Sequence, residues 1–250
     1  MFKNRDYSII LPTYNEVGHI EKLISDITEI FTKKRIKFEI IVVDDVSSDG
    51  TIDLIKKIST QNNNLNLLVR MSEKKSLVKS IQKGIDNAKY QKIIWLDADY
   101  SHPPEYIENF INLNENENFD VIVCSRFLEE SQRYYDGTRT KPKGIDKLSL
   151  VLNKICQKFI SNKFKDYTSG FICIDSQIIK EKELSGYYGD YFITLISSLI
   201  KENRKIKEIP FVEKERATGN SKTTSNKFDF IIKCYFYLWA IIKSLSRNLF

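Results

Sequence analysis

Cysteine and histidine are scarce in this chain of 250 residues, which contains four cysteines and two histidines. The cysteines lie far apart in the sequence, at Cys124, Cys156, Cys173 and Cys234. No two of them have the spacing of metal ligands, which excludes a zinc-finger type of site and a disulfide scaffold. We expect them to be small buried side chains of a protein in a reducing compartment. Of the histidines, we expect His19 on the surface of a helix. His102, beside "DAD", is a possible ligand there, but we expect it to be either exposed or placed behind the ligand-binding residues.

Long apolar runs are also missing at both ends of the chain. At the N-terminus, the sequence reaches proline and charged residues after a few apolar positions, which is too short for the apolar region of a signal peptide. Near the C-terminus, the apolar segment 230–242 includes Lys233 and is shorter than the roughly 20 residues of a membrane-spanning helix. We therefore expect a protein that is cytosolic or faces the cytosol.

The composition is that of an ordinary folded protein, with 42% apolar and 29% charged residues. The net charge of +6 is too small an excess to indicate nucleic-acid binding by itself, and the sequence has no RNP, zinc-finger or helix-turn-helix pattern. We expect no nucleic-acid partner. The mild positive charge instead suits anionic ligands or an anionic membrane surface.

Short apolar runs alternate with helical patterns through the first half of the chain. The runs occupy residues 7–13, 38–45, 92–99 and 119–127. Helical patterns cover 16–34, 51–58, 76–90 and 103–113, with Thr51 as the expected N-cap of the second. Runs of this kind are typical of strands buried on both faces. The alternation predicts an α/β fold with a parallel sheet.

The second half of the chain is less regular. A basic loop is predicted at 128–147 and helices at 147–161 and 188–203, with strands after "DYTSG" and within "KIKEIPFVEK". The tail, 226–250, has two interpretations. It packs on the core as a helix, or it lies in a membrane interface with Tyr235, Tyr237 and Trp239 at the level of the lipid headgroups. Its density of aromatic residues favours the interface.

Acidic and polar side chains follow three of the predicted strands, in the segments "PTYNE", "DDVSSDGT" and "DADYSH". Because the carboxyl ends of parallel strands meet at one edge of a sheet, we expect these segments to converge there. Such a gathering of carboxylates is costly unless a cation or hydrogen-bond donors share the site. In "DAD", the alternation of an extended chain places Asp97 and Asp99 on one side, and the small Ala98 lets a ligand come close.

Two aspartates in this arrangement predict a site for a hard divalent cation. Oxygen ligands of this kind suit Mg²⁺ or Mn²⁺, and such an ion also bridges a diphosphate. One aspartate alone could be the cap of the helix after Pro103, but that does not account for two. The sequence therefore predicts a site for a cation and a diphosphate at Asp97 and Asp99.

The motifs and their order resemble the family 2 glycosyltransferases of the GT-A fold. The resemblance rests on "SIILPTYNEVGHI", "EIIVVDDVSSDGT", "WLDADYSHPPEYI", "CSRF", "DYTSGF" and "ERATGNSK", and it covers about residues 7 to 225. Within the family, the chain looks most like the dolichyl- or polyprenyl-phosphate mannosyltransferases. The resemblance implies an α/β, Rossmann-like GT-A fold with a central, mostly parallel sheet flanked by helices. It also implies a catalytic domain, which we place at 1–225; the tail at 226–250 lies outside the resemblance and is the amphipathic interfacial helix that its aromatic residues favour.

The resemblance assigns roles to individual residues. The substrate-binding residues that it implies are Pro12, Tyr14 and Glu16 at the nucleotide, Val43 and Asp45 at the base and ribose, Asp97, Ala98, Asp99 and Ser101 at the metal and diphosphate, and Arg126, Arg216 and Lys222 at the phosphates. The implied metal ligands are Asp97 and Asp99, and the implied catalytic residues are Asp99 and Arg126. Taken alone, Arg126 could be a surface ion pair, and Arg216 and Lys222 could be solvated loop charges.

The sequence departs from the family pattern at several positions. Val46 stands where glycine is common after the paired aspartates, so we expect this turn to avoid positive φ. Ser101 replaces a glutamine that helps to bind the metal, and Ile172 replaces an arginine. In the basic loop, Lys143 and Lys147 are candidates for holding a lipid phosphate, although the family's tryptophan and arginine pattern is missing.

The activity implied by the resemblance is transfer of a hexose from a nucleotide-sugar to a polyprenyl-phosphate at the cytosolic face of a membrane. GDP-mannose is the favoured donor and a UDP-sugar is the alternative. A phosphate acceptor is already ionised near pH 7, so no strong general base is required. A transferase that extends a cell-surface glycan would need a base, for which Asp190 is the best candidate, although helix N-capping explains it equally well. A non-catalytic nucleotide-binding protein of the same fold is the third possibility.

Overall fold

A computed structural model describes residues 5–71, 74–128, 131, 144–214 and 227–246. The strands are β1 (Tyr7–Thr13), β2 (Phe38–Asp44), β3 (Leu65–Val69), β4 (Lys92–Trp95), β5 (Val121–Ser125), β6 (Ile172–Asp175) and β7 (Ile206–Pro210). The helices are α1 (Ile20–Lys34), α2 (Thr51–Ser59), α3 (Leu77–Asn87), α4 (Ile107–Asn116), α5 (Gly144–Phe159), α6 (Ser176–Lys180), α7 (Asp190–Lys201) and α8 (Lys227–Ser246), with a 3₁₀ turn at Pro104–Tyr106. Every predicted strand and helix has a counterpart, and most differ only at their ends.

The strands of the described residues form one sheet in the order β3-β2-β1-β4-β6-β5-β7. Neighbours pair in parallel except at β6, which is antiparallel to both β4 and β5. The sheet is therefore mostly parallel, which confirms the predicted α/β architecture. The register matters for the site, because Thr13 at the end of β1 lies beside Asp44 at the end of β2. The segments that follow β1, β2 and β4 thus leave the sheet at the same edge.

Both faces of the sheet are covered, which explains why the strands are continuous apolar runs rather than alternating patterns. Along β1, Ile10 packs in one apolar cluster with α3 and α7, while Ile9 and Leu11 pack in another with α1 and α4. All three side chains are fully buried. Trp95 of β4 belongs to the first cluster and donates its Nε1–H to Tyr191 Oη at 3.0 Å. This bond ties the strand before the "DAD" segment to α7.

Several local features differ from what the sequence predicts. The edge strand β3 and the short helix α6 are not predicted from the sequence; β3 has five residues, is mostly half-buried and has a pairing partner on one side only. Thr51 is the first helical residue of α2, and the N-cap is Gly50. The expected surface position of His19 is wrong. It lies at the N-cap of α1 and is 7% exposed, because its neighbour Ile20 draws the start of the helix into the core.

Helix α8 packs on α7 with one face and presents apolar side chains on the other. Ala240, Ile241 and Ser244 are buried. The opposite side carries four side chains that are between 44% and 63% exposed, here called the outer stripe: Tyr235, Leu238, Trp239 and Ile242. One helix thus has both a core-packed face and an exposed aromatic face. In the part of the chain that the structure describes, no helix is long and apolar enough to cross a membrane.

Candidate active site

A cleft opens where the segments after β1, β2 and β4 leave the sheet. Its volume of about 490 Å³ is within the range of small-molecule sites. The predicted site residues that line it are Pro12, Tyr14, Glu16, Asp45, Asp97, Ala98 and Asp99. Other lining residues were not singled out by any motif, among them Lys74, Lys75, Ser76, Tyr187, Tyr188 and Lys233. The structure therefore brings the three acidic segments together.

Hydrogen bonds join the loops that follow β1 and β2. The Asn15 N–H donates to Ser47 Oγ at 2.8 Å, and the Glu16 N–H donates to Thr51 Oγ1 at 2.9 Å. Asp44 is fully buried and accepts from the N–H and Oγ of Ser47 at 2.7 and 2.6 Å. Its charge is satisfied inside the turn. This accounts for the first aspartate of "DDVSS", while the second, Asp45, lines the cleft.

Val46 has a φ of 59°, so the expectation that this turn avoids positive φ is wrong. The physical reason is local: Asp44 accepts the N–H of Ser47 across the turn, and this closes the backbone around Val46. The Val46 side chain points outward and is 40% exposed. A β-branched residue in the left-handed region costs about 1–2 kcal/mol, so the turn is strained.

Asp45 is held by a buried arginine that no sequence motif indicates. Arg70 is 2% exposed, and its Nη1 pairs with Asp45 Oδ1. The Ser76 N–H donates to the other oxygen, Oδ2, at 2.7 Å. These bonds fix the segment before α3 against the end of β2. A single arginine after a short strand belongs to no motif, and only the need of Asp45 for a counter-charge could have indicated it.

The segment before α3 also supplies exposed positive charge to the cleft. Lys75 donates a hydrogen bond to Tyr14 Oη, and its Nζ lies 3.7 Å from the centroid of the Tyr14 ring. A lysine over an aromatic face is attracted by the ring quadrupole. Lys74, its neighbour, lines the same cleft. Tyr14 and the two lysines thus form a mixed aromatic and cationic wall.

The turn after β4 is anchored to α1. Tyr100 has a φ of 64°, and its Oη donates to Asp26 while Lys22 Nζ donates to the same Oη at 3.2 Å. The Ser101 N–H donates to Asp99 Oδ1 at 3.0 Å. Asp26 and Lys22 of α1 therefore fix the side chain of Tyr100, and the N–H of Ser101 fixes the orientation of the Asp99 carboxylate.

His102 supports Asp97 from behind. It is 2% exposed, it stacks on Phe171 with ring centroids 5.0 Å apart, and its Nδ1 accepts the Asp97 N–H at 3.0 Å. Burial lowers the pKa of His102 to about 4, so the ring is neutral near pH 7 and can accept this bond. Of the two expectations for His102, the supporting position is the one that the structure shows.

Asp97 and Asp99 fit the donor set of a magnesium or manganese site that substrate completes. Mg²⁺ is usually held by one or two carboxylates together with substrate phosphates and water. Among the described residues, no group of three or more His, Cys, Asp or Glu side chains is arranged to hold a metal ion. Asp97 is half-buried, Asp99 is 4% exposed, and both line the cleft. The pair therefore suits an ion that arrives with a diphosphate.

Arg126 is engaged in a partly buried ion pair rather than in the lining of the cleft. Its Nε and Nη2 donate to the two oxygens of Asp166, each at 2.9 Å, and Nη2 also donates to Thr168 Oγ1. The Arg126 side chain is 18% exposed and that of Asp166 is fully buried. Two parallel bonds of this kind fix the plane of the guanidinium.

The remaining predicted residues are not brought to the cleft by the described structure. The side chain of Val43 is fully buried in the core cluster on the α3 side of the sheet. Ser101 lies beside the cleft, where its N–H bonds to Asp99. Outside the described residues lie Arg216, Lys222, Lys143 and the side chain of Lys147.

Comparison with known proteins decides the family. Residues 8–182 match the sequence profile of the family described as Glycosyl transferase family 2. The chain belongs to glycosyl transferase family 2. The match spans more than half of the chain and confirms the family that the motifs indicate.

Two relatives share sequence with this family 2 member over most of its length. A dolichol-phosphate mannosyltransferase of Pyrococcus furiosus is 30% identical over 220 residues, which are 86% of this chain and 58% of that protein. An undecaprenyl-phosphate 4-deoxy-4-formamido-L-arabinose transferase of Serratia proteamaculans is 25% identical over 215 residues, which are 86% of this chain and 62% of that protein. The chain thus spans less than two thirds of the length of either relative.

Solved structures show the same fold. The glucosyl-3-phosphoglycerate synthase of Mycobacterium tuberculosis, in complex with Mn²⁺, UDP and glucosyl-3-phosphoglycerate, superposes with a TM-score of 0.72. The superposition covers 97% of this chain and 80% of that one, at 12% sequence identity. At this identity the likeness concerns the fold alone, and it confirms the predicted GT-A architecture.

Glu208 of β7 holds the segment that contains Asp166, the partner of Arg126 in this family 2 member. Its carboxylate accepts the N–H groups of Lys165 and Asp166 at 2.8 and 3.0 Å. Burial raises the pKa of Glu208 from 4.5 to about 7. Because the folded value lies above the unfolded value, the stability from this group is complete below pH 4.5 and is lost as the pH rises through 7.

We predict that Glu208→Gln removes this pH dependence. The amide stays neutral and still accepts a backbone hydrogen bond. The unfolding free energy of the wild type, minus that of the variant, should fall by on the order of 3 kcal/mol between pH 4.5 and 7 and stay level above. Urea denaturation at several pH values measures this difference. Glu202→Gln is the control, because hydrogen bonds lower the pKa of Glu202 despite partial burial, and its difference should be flat in this window. A flat difference for Glu208→Gln would contradict the assignment.

The strained turn at Val46 gives a second prediction. Val46→Gly removes the steric cost of positive φ but increases the entropy of the unfolded chain, so a net stabilisation of about 1 kcal/mol is expected. Thermal or urea denaturation measures it. Val17→Gly is the matched control, because Val17 is also exposed, at 41%, and is not among the residues with positive φ. Destabilisation of Val46→Gly as large as that of Val17→Gly would show that the turn carries no strain.

Proposed function

We propose that this chain transfers a hexose from a nucleotide-sugar to a polyprenyl-phosphate, with Mg²⁺ or Mn²⁺ held by Asp97 and Asp99. The observation that carries the proposal is the cleft at the carboxyl edge of the sheet. There the carboxylate pair lies together with Tyr14, Asp45 and Lys75. Carboxylates for a metal ion, an aromatic ring and nearby positive charge are the groups that a nucleoside diphosphate needs.

The names of the relatives support this substrate class. One relative is named for dolichol-phosphate and the other for undecaprenyl-phosphate, and both of these are polyprenyl-phosphates. Because the first relative is named for mannosyl transfer, we favour GDP-mannose as the donor of this chain. The fold neighbour that binds UDP-glucose keeps a UDP-sugar as the alternative. In the proposal, Pro12, Tyr14 and Glu16 meet the nucleotide and Asp45 meets its base and ribose, whereas the fully buried Val43 has no contact with the ligand.

In this reaction the metal site would serve the departure of the diphosphate. When bound, a divalent cation neutralises charge on the leaving diphosphate, which is a Lewis-acid role. The chain's part is to hold the two carboxylates in place. His102 fixes the backbone of Asp97, and the Ser101 N–H directs Asp99. Support of this kind from behind the ligands keeps them in one geometry.

Positive charge from the chain would stabilise the diphosphate as the glycosidic bond breaks. We assign this role to Arg126, Arg216 and Lys222. Asp166 holds the guanidinium of Arg126 through Nε and Nη2. The contact of Nη1 with Glu213 is long, at 3.5 Å, so Nη1 is the least committed donor of this group.

A lipid phosphate as acceptor agrees with the position of Asp190. Its oxygens accept the N–H groups of Tyr187 and Tyr188 at 2.7 to 3.2 Å, and the residue is 2% exposed. A carboxylate held in this way is a structural anchor and a poor general base. A glycan hydroxyl needs such a base, whereas an ionised phosphate does not. This observation favours the lipid phosphate over a growing glycan.

Helix α8 suits a membrane surface. The outer stripe joins an aromatic pair to two aliphatic side chains on one face, and such faces bury themselves at the boundary between headgroups and acyl chains. We therefore propose a transferase domain at 1–225 and an interfacial helix at 226–250. The protein would lie peripherally on the cytosolic face of the membrane, where its acceptor is anchored.

The central prediction concerns Asp99. We expect radiolabel from GDP-mannose, or from a UDP-sugar, to enter the organic phase with polyprenyl-phosphate, and we expect EDTA to stop this transfer. Asp99→Asn keeps the size of the side chain but loses its charge, so kcat should fall about a hundredfold or more. Thermal shift with GDP or UDP should show metal-dependent stabilisation of the wild type that the variant loses.

Asp86→Asn is the control for this experiment. Asp86 lies on the exposed face of α3 and accepts a hydrogen bond from Gln82, away from the cleft. Its substitution should leave both transfer and thermal shift unchanged. Full metal-dependent transfer by Asp99→Asn would refute the site assignment. Transfer to a glycan acceptor in place of the lipid phosphate would refute the proposed acceptor.

A further prediction tests the outer stripe. Leu238→Ser with Ile242→Ser should weaken co-sedimentation with vesicles of phosphatidylcholine and phosphatidylglycerol by about tenfold or more, since apolar side chains no longer enter the interface. The melting temperature should change little, because these side chains are 50% and 63% exposed. Val151→Ser, at a 54% exposed position of α5, is the control and should bind vesicles as the wild type does. Unchanged binding of the double variant would exclude the stripe as the membrane contact.

A further inference from the structure

Helix α8 brings a lysine into the cleft. Lys233 is 7% exposed and lines the cleft together with Asp97, Ala98 and Asp99. Its Nζ lies 4.8 Å from the centroid of the Tyr188 ring. Lysine is rarely buried unless its charge is compensated, and this lysine shares its cleft with the carboxylate pair. The tail helix therefore forms part of the site itself.

Close contacts hold α8 against the segment before α7. Phe236 stacks on Tyr187 with ring centroids 4.6 Å apart and an angle of 6° between the planes. Tyr237 approaches Gly189 so closely that a Cβ at this position would lie 2.4 Å from Tyr237 Oη. Asp190 in turn fixes the backbone of this segment through the Tyr187 N–H. Phe236 and Tyr237 thus hold the part of α8 that faces the cleft against the segment before α7.

A phosphate group is the ligand that this arrangement fits. Asp97 and Asp99 attract cations. A diphosphate bound to a metal ion at these carboxylates has further negatively charged oxygens that the metal does not bind and that can accept hydrogen bonds. An ammonium group offers three N–H donors to such oxygens as a compact point charge. Hydrogen bonds between charged groups are strongest where water is excluded. Lys74 and Lys75 line the same cleft but are exposed, so Lys233 is the buried lysine among the described lining residues.

We propose that Lys233 binds a phosphate group in this cleft, on either the donor diphosphate or the acceptor phosphate. The inference rests on the proposed function for the identity of these ligands. At 100° per residue, Lys233 and the outer stripe lie on opposite sides of α8. The helix that meets the membrane on one side therefore completes the cleft on the other.

The test compares two substitutions at this position. Lys233→Met removes the charge and keeps an unbranched side chain, whereas Lys233→Arg keeps the charge. Lys201→Met is the matched control, because Lys201 of α7 donates to the backbone carbonyl of Ser244 in α8 and does not line the cleft. Calorimetric titration with GDP and UDP in Mg²⁺ or Mn²⁺ measures binding of the diphosphate. Initial rates with a short-chain polyprenyl-phosphate give kcat and the KM of the acceptor.

We expect Lys233→Met to weaken one of these interactions by about tenfold to a hundredfold, the usual effect of losing a hydrogen bond to a charged group. Lys233→Arg should lie closer to the wild type, and Lys201→Met should lower only the melting temperature. Weaker nucleotide binding by Lys233→Met assigns the lysine to the diphosphate. A higher acceptor KM with unchanged nucleotide binding assigns it to the acceptor phosphate.

Equal nucleotide binding and equal acceptor KM in Lys233→Met and Lys201→Met would overturn the inference, whatever the melting temperatures. A failure of the proposed function gives a different result. In that case the wild type binds nucleotide but transfers no sugar to polyprenyl-phosphate. The calorimetric comparison then decides alone: weaker binding by Lys233→Met supports the inference, and unchanged binding overturns it.

Discussion

Repulsion among carboxylates gathered at one edge of a parallel sheet is the constraint on which the rest of this site depends. Strands β1, β2 and β4 end side by side, so their acidic segments meet. Three other carboxylates of these segments are satisfied by donors from the chain: Asp44 by Ser47, Asp49 by Thr51 and Asp45 by Arg70. Without such donors, buried carboxylates would be costly. Asp97 and Asp99 lie at the cleft itself, where a cation with its diphosphate can compensate their charge.

The segments that follow β1, β2 and β4 each contain one non-glycine residue with positive φ. Asn15, Val46 and Tyr100 all have positive φ, with values of 56°, 59° and 64°. Each of them directly follows a residue that lines the cleft, namely Tyr14, Asp45 and Asp99. A left-handed residue turns the chain sharply after the strand, so the preceding side chain faces the cleft while the backbone departs. Strained positions of this kind cluster at ligand sites, and the surrounding hydrogen bonds must hold them in place.

The sequence predicts what depends on pattern and misses what depends on tertiary contact. Strands buried on both faces leave an apolar run, so β1, β2, β4 and β5 are evident, whereas the edge strand β3 is not. The reversed direction of β6 follows from pairing, which no local pattern encodes. The convergence of the acidic segments is predictable from parallel topology alone. The conformation of Val46 is not, since a hydrogen bond across its turn decides it, and the choice between the two expected positions of His102 depends on its stacking on the distant Phe171.

Helix α8 is a second case in which the sequence alone cannot predict the tertiary contacts. Apolar residues surround most of α8, so its sequence agrees equally with a core helix and with an interfacial helix. Packing on α7 settles which residues turn inward, and the exposed remainder is the outer stripe. The two interpretations are therefore compatible, because a helix has two faces. The position of Lys233 follows from the same packing. A charge in an apolar segment is costly unless it meets a counter-charge, and in the folded chain Lys233 lies in the carboxylate-lined cleft.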